Sequence, residues 1–349
     1  MLYSTVTPSG PAGRSGIARA IALAAVLAVA GVLLAACGSN SSGGGSTSAS
    51  KSGSTSASGS KLILAEQSFP CGLNGYAQLL CSGFDDAKKN MPAGYSFQLK
   101  AGVDGDTTAF NNIIETSLQL KPAGIIVYPN GPATETPMVK KACAQGIKVI
   151  IINDYIVGAG NGCVAATIKS NDYELGAQLG RWLIAHPPTI SREVGIVNWP
   201  PGRFSGSDQR VKGFVDTITP AGYRVVASVS TDLTLTRTRT LVQNMLTGHP
   251  KLGTVFSTAD GFGDGTAQAV RNPKIVQLSV DGALTSVRRI PSGGLSADNA
   301  QNPAFLARVA VQQMSELLQG RQIPSLTYAP GKVIDASNVE QYIAAGGLH

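Results

Sequence analysis

Residues 121–154 read KPAGIIVYPNGPATETPMVKKACAQGIKVIIIND. Two apolar runs, 123–128 and 147–152, flank a polar turn and a stretch of helical spacing near 134–145. Neither run alternates. A strand with one wet face reads apolar–polar–apolar, whereas a strand in a parallel sheet is covered on both faces and reads as unbroken Val, Ile and Leu. GIIV at 124–127 and VIII at 149–152 are of the second kind. The stretch therefore predicts strand–helix–strand in a parallel sheet covered by helices.

The same grammar runs on from Lys61. Strands are predicted at 61–66, 95–100, 123–128, 147–152, 164–168, 193–198, 223–229, 253–257 and 274–280. Helices are predicted near 74–90, 107–120, 134–145, 171–186, 206–219, 234–248, 261–271, 283–290 and 303–319. Repeated strand–helix units give a doubly wound α/β fold. Nine strands are too many for one sheet of ordinary size, so two lobes follow. In IKSNDYELGAQLGRWL, 168–183, a strand ends, Ser170-Asn171-Asp172 supplies turn and cap chemistry, and a helix begins. Ligands of open α/β sheets sit beyond the carboxyl ends of the strands. Two such sheets facing one another would make a cleft.

The front of the chain is a separate object. Arg14 and Arg19 are the only charges before Cys37, and residues 17–36 are almost entirely Ala, Val, Leu and Ile. A basic start, an apolar run and small residues at its end predict a secretory signal. A permanent membrane helix is the competing reading. Leu34-Ala35-Ala36-Cys37 resembles the bacterial lipobox, which implies cleavage before Cys37 and a diacylglycerol on its sulfur. Residues 1–36 are thus expected to be a lipoprotein signal peptide. Residues 37–60, the lipidated Cys and a Ser/Gly-rich string, are expected to form a flexible tether. The expected location is the extracytoplasmic face of the cell membrane.

Beyond Cys37 the chain carries 26 basic and 21 acidic residues, scattered rather than clustered. No zinc-finger or RNA-binding spacing appears, and no nucleic-acid partner is expected. Cys71, Cys81, Cys143 and Cys163 remain, an even number, which in an exported chain reads as two disulfides. A zinc site is the rival, but close CxxC spacing is missing. Cys143 ends a predicted helix and Cys163 precedes a predicted strand at the same sheet edge, so they are expected to pair. Cys71 and Cys81 are expected to pair as well, which requires the first helix to bend or to start late, because ten helical residues span about 15 Å.

These phrases, in this order, resemble a type I periplasmic solute-binding protein of the ribose-binding-like branch that serves ABC importers. The resemblance covers 61–349. It is carried by 121–154, 168–183, SGSDQRVKGFVDTI (205–218), LVQNMLTGHPKLGTVFSTAD (241–260), LSVDGA (278–283), LSADNAQNPAFLARVAVQQM (295–314) and VIDASNVEQYI (333–343). It implies two lobes joined by a three-strand hinge, with crossings near 170, 300 and 328. Lobe one would be 61–169 with 301–327, and lobe two 170–300 with 328–349. Ligand would close the lobes.

The resemblance also nominates residues. In CGLNGYAQ (71–78), Asn74 and Tyr76 stand where the family has an Asn and an aromatic, and Ala77 replaces a second aromatic. Asn153-Asp154 stands where Asp-Arg is common, and Asp208 where an Arg is common; Arg210 reads as structural. Leu233 and Ala259 replace an aromatic and an Asn. Asp260, Asp281 and Gln301 match family positions. Trp199, Phe204 and Tyr155 are spare rings near the cleft. With Asp154 and Asp208 in place of cations, the walls look acidic and without a clear cation. That favours a neutral sugar or polyol, or an amine-bearing one, over an anion.

The expected partners are that small ligand, an ABC permease and the membrane, with the protein a monomer and no cofactor or metal. A sensor feeding a membrane kinase would share this fold. An enzyme acting on glycosides is the other rival, but His186, His249 and His349 have no Ser or Cys nucleophile partner in sequence, and neither a P-loop nor HExxH occurs.

Overall fold

The computed structural model describes residues 60–130, 134–154 and 163–347. The signal, Cys37 and nearly all of the tether, with Tyr155 and His349, lie outside the described residues.

One sheet contains β1 (Lys61–Gln67), β2 (Tyr95–Ala101), β3 (Gly124–Tyr128), β4 (Lys148–Ile152), β5 (Val164–Ser170) and β11 (Leu326–Ala329), in the order β11-β5-β4-β3-β1-β2. All its pairings are parallel. The other contains β6 (Glu193–Asn198), β7 (Arg224–Ser230), β8 (Thr254–Ser257), β9 (Val276–Asp281), β10 (Ala297–Ala300) and β12 (Lys332–Asp335), in the order β12-β10-β9-β8-β6-β7. There only β12 runs antiparallel to its neighbour.

Both faces of each sheet are covered, as the continuous apolar strands require. In the first sheet, Ile63, Ile126, Ile150 and Ile168 pack with α1 (Gly75–Lys89) and α9 (Pro303–Leu318). Leu64, Ile125, Val127 and Ile151 face α2 (Thr107–Gln119) and α3 (Thr136–Ala144). In the second sheet, one face packs with α4 (Asp172–Ala185) and α5 (Ser205–Ile218). The other packs with α6 (Leu235–Gly248) and α7 (Asp260–Ala269). A short α8 (Leu284–Val287) and a terminal α10 (Val339–Ala344) form a satellite cluster.

The helix predicted at 283–290 is only the four residues of α8. Pro291 stands four residues past its end and the Gly293-Gly294 pair just beyond; the residue before a proline is steered out of the helical region, and Gly293 takes φ 76°. The strands β10, β11 and β12 are too short to show as apolar runs. They mark where the chain changes sheets. It passes from β5 to α4 at Asn171, from β10 to α9 at Gln301-Asn302, and from β11 to β12 at Pro330-Gly331. Asn171 and Asn302 cap the helices they open, accepting from the Glu174 and Phe305 amides.

Helices α4 and α5 approach closely because they meet at glycines. A Cβ on Gly213 would run into the Tyr173 carbonyl, and one on Gly176 into the Arg210 carbonyl. This contact fixes the height of Arg210 against the strand ends.

The cysteine sulfurs pair as Cys71–Cys81, with Cα atoms 5.9 Å apart, and Cys143–Cys163, at 5.4 Å. Helix α1 begins at Gly75, so Cys71 sits in the turn before it and the chain folds back far enough to bridge.

On the α2 side of β1 lies Glu66, 1% exposed, with neither carboxylate oxygen hydrogen-bonded. Burial pushes its pKa up to about 7, opposed by Ser117 and Lys100. A carboxyl raised in the folded state contributes stability below its unfolded pKa and loses it as pH rises through the folded value. Between pH 4.5 and 8 this group should cost the fold about 1–3 kcal/mol. Glu66→Gln should flatten that decline, as read by urea denaturation at both pH values.

Candidate functional site

The carboxyl ends of both sheets converge on one cavity of about 150 Å³. A single water occupies about 10–15 Å³ on this measure, so the space suits a small solute. Its walls come from the residues just beyond the strands, as open α/β sheets dictate. Phe69 follows β1, Asp104 follows β2, Tyr128 ends β3, and Asn153 and Asp154 follow β4. From the second sheet come Trp199 after β6, Leu233 after β7, Ala259 after β8 and Asp281 ending β9. Gln301 follows β10.

Among the described residues, three non-glycines have positive φ: Lys121, Asn153 (68°) and Asp281 (135°). The last two line the cavity. Such backbone costs of order 1–3 kcal/mol and persists where surrounding contacts hold it. At Asp281 those contacts are on both carboxylate oxygens. Gln301 Nε2 donates to Oδ1 at 2.7 Å, Arg210 Nη1 to the same oxygen at 3.3 Å, and the Asp260 amide to Oδ2 at 3.2 Å.

Arg210, 7% exposed, ties this corner together. Its Nε donates to Asp172 Oδ1 at 3.0 Å and its Nη1 to the Thr258 carbonyl at 2.8 Å. Burial alone would lower its pKa, but Asp172 and Asp281 more than offset that, and the guanidinium stays charged. Burial raises the pKa of Asp281, and Arg210 acts against the rise.

The first-sheet side carries a phenol–amide chain. Tyr76 OH donates to Asn153 Oδ1 at 3.0 Å, and Asn153 Nδ2 donates to the Tyr128 oxygen. Burial raises both phenol pKa values, so both remain neutral. Phe69 meets Tyr128 edge-on at 4.8 Å. On the opposite side Trp199 and Phe204 pack at 5.2 Å, with the Arg203 guanidinium 5.4 Å from the Trp199 ring centre. Two aromatic walls thus face a polar base.

Six sequence-nominated residues line the cavity: Asn74, Tyr76, Asn153, Asp154, Asp281 and Gln301. Asn74 also caps α1, accepting from the Ala77 amide at 2.9 Å. Asp154 reaches across to the second lobe, where Ser205 Oγ donates to its Oδ1 at 2.6 Å. Asp208 and Asp260 are not among the lining residues. Asp208 accepts from Asn198 at 3.2 Å and from the Gly202 amide at 2.8 Å, and so shapes the loop that carries Trp199. Asp260 points behind the wall, accepting from Ser279 at 2.6 Å and the Ala283 amide at 2.7 Å. Burial and the neighbouring Asp298 and Asp281 raise its pKa well above the carboxylate range.

The expectation of walls without a clear cation needs correcting. Arg203 and Arg210 both line the cavity. Arg210 does so while holding Asp172 and Asp281, because the tight α4–α5 contact brings it to the strand ends. The spare rings Trp199 and Phe204 do line the cavity, while Phe69, Asp104, Tyr128, Asp172 and Ser207 were not nominated. The signal for several of these was positional: Phe69, Asp104 and Tyr128 each stand at or just past a strand's carboxyl end.

A family model described as a periplasmic binding protein domain matches residues 68–322. A ribose import binding protein of Bacillus subtilis is 25% identical over 65% of this chain and 73% of its own length. A D-allose-binding periplasmic protein of Escherichia coli is 24% identical over 74% of this chain and 86% of its own. Among solved structures, an ABC transporter solute-binding protein from Agrobacterium vitis with bound α-D-tagatopyranose superposes with a TM-score of 0.74, at 22% identity, over 83% of this chain and 99% of its own. One from Actinobacillus succinogenes with bound D-allose has a TM-score of 0.72, at 20% identity, over 81% and 100%.

Arg210→Ala strands two buried carboxylates. It should cost about 3–5 kcal/mol in denaturant unfolding, with part of the loss recovered in Arg210→Ala/Asp172→Asn.

Proposed function

This chain belongs to the periplasmic binding protein domain family, and we propose that it is the extracytoplasmic substrate-binding lipoprotein of an ABC importer, closing on a neutral sugar or polyol. The observation that carries this reading is the cavity's make-up. Rings from both sides, Phe69 and Tyr128 against Trp199 and Phe204, suit the apolar faces of a sugar ring. The polar base mixes donors and acceptors: Arg210, Gln301 and Asn153 with Asp281 and Asp154. A buried sugar hydroxyl without a partner costs about 1–3 kcal/mol, so a sugar site needs both. The names of the curated relatives, which import ribose or bind D-allose, point the same way.

In this reading the functional units are two hinged lobes, 61–169 with 301–327 and 170–300 with 328–349, and the sheet-to-sheet passages are the hinge. Ser170 Oγ donates to Gln301 Oε1 at 2.8 Å and Gln301 donates on to Asp281, which links hinge to ligand wall. Cys37 holds the protein at the membrane through its lipid. Since Asp281 and Asp172 are already matched by Arg210, a neutral ligand fits better than an amine-bearing one.

Calorimetry against sugars, polyols, amino sugars and sugar acids tests the assignment. A neutral sugar or polyol should bind, and Asp281→Ala should weaken it about 10–100-fold. Binding of sugar acids alone would overturn it. In cells, Cys37→Ala should move the protein from the membrane fraction to the soluble one.

A further inference from the structure

The two lobes already touch in this conformation. Ser205 Oγ and Asp154 Oδ1 meet at 2.6 Å across the cleft. A Cβ on Gly75, at the start of α1, would come within 3.3 Å of the Ala283 Cβ just before α8. Contact at these places leaves one end of the cavity unsealed. There it continues into a groove of about 800 Å³ between the start of α1 and the starts of α7 and α8. The two spaces share lining residues, Leu73, Asn74, Asp104, Leu233, Ala259 and Asp281 among them.

The junction has a clear chemistry. On the second-lobe side its wall includes Leu233 and Ala259, which are short and carry no side-chain hydrogen-bonding group. Nothing polar on those two side chains has to be matched by a ligand passing them. Beyond the junction the groove mixes apolar side chains, Leu79 and Leu284, with polar ones. Gln78, Thr285 and Arg288 are exposed there and offer acceptors and donors from both lobes. A pocket made only for a free monosaccharide gains by enclosing it on every side, because enclosure removes apolar surface from water and strengthens each hydrogen bond. An opening that survives lobe contact, and leads to polar side chains, suits a ligand that continues outward.

We propose that the ligand is a substituted sugar or polyol, a glycoside or short oligosaccharide. Its first unit occupies the aromatic-walled cavity and its substituent passes Leu233 and Ala259 into the groove. This rests on the cavity being a sugar site, and deepens that reading by naming the substrate class.

The test is calorimetry with the whole protein against paired probes: free pentoses and hexoses, their methyl and p-nitrophenyl glycosides, and disaccharides that contain them. At least one derivative should bind about ten-fold tighter than its parent sugar. Ser82→Trp fills the groove from an exposed position on α1. It should abolish that gain and leave the parent sugar's affinity unchanged. If free sugars bind and every derivative binds more weakly, the inference is overturned and the sugar-site reading stands. If neither free nor substituted sugars bind, both are overturned.

Discussion

The arrangement of this cleft depends on where one guanidinium is held. Arg210 is buried at the second turn of α5, and three different segments meet on it: the start of α4 through Asp172, the end of β8 through the Thr258 carbonyl, and the end of β9 through Asp281. A buried ion pair contributes little net stability once the cost of removing both charges from water is counted. Its effect is geometric. The backbone at Asp281 is strained, and its side chain would have other places to go if Arg210 and Gln301 did not hold it. The glycines at 176 and 213 belong to the same device, since without them α5 could not bring the arginine this close to α4.

Much of the fold was legible because unbroken apolar strands are hard to read any other way. Runs such as 124–127 and 149–152 report burial on both faces and hence a parallel sheet with two helix layers. The short strands β10, β11 and β12 were invisible to that logic. With four residues each, they carry too little pattern, and they pair because the chain is already being led across by Gln301-Asn302 and Pro330-Gly331.

The site was legible where position decides and obscure where side-chain direction decides. Asn153, Asp281 and Gln301 stand at strand ends, and the cavity lies there. Asp208 and Asp260 stand in the first turns of helices that follow strands, ten residues past β6 and three past β8, yet both turn away from the cavity to accept from other protein groups. Which way a helix-start carboxylate turns depends on neighbours far apart in sequence: Asp260 answers to Ser279 and Ala283. The same limit hid Arg210's double part in packing and in the cavity wall. A counted charge says nothing of what it is already bound to.

The edge pairing of β11 with β5 reaches beyond the cleft. Leu326 lies opposite Thr167, about halfway back along the chain. A polypeptide emerging from its N-terminus can build the core of β1, β3 and β4 early, but α9, which covers one face of that sheet, arrives only with residues 303–318. Until then Ile63, Ile126 and Ile150 lack a cover that the mature form supplies from near its far end. Closing such distant contacts is entropically slow. The half begun first therefore stays unfinished until β11 joins it at residues 326–329, and a truncation anywhere before residue 303 would leave greasy β-structure bare and prone to associate.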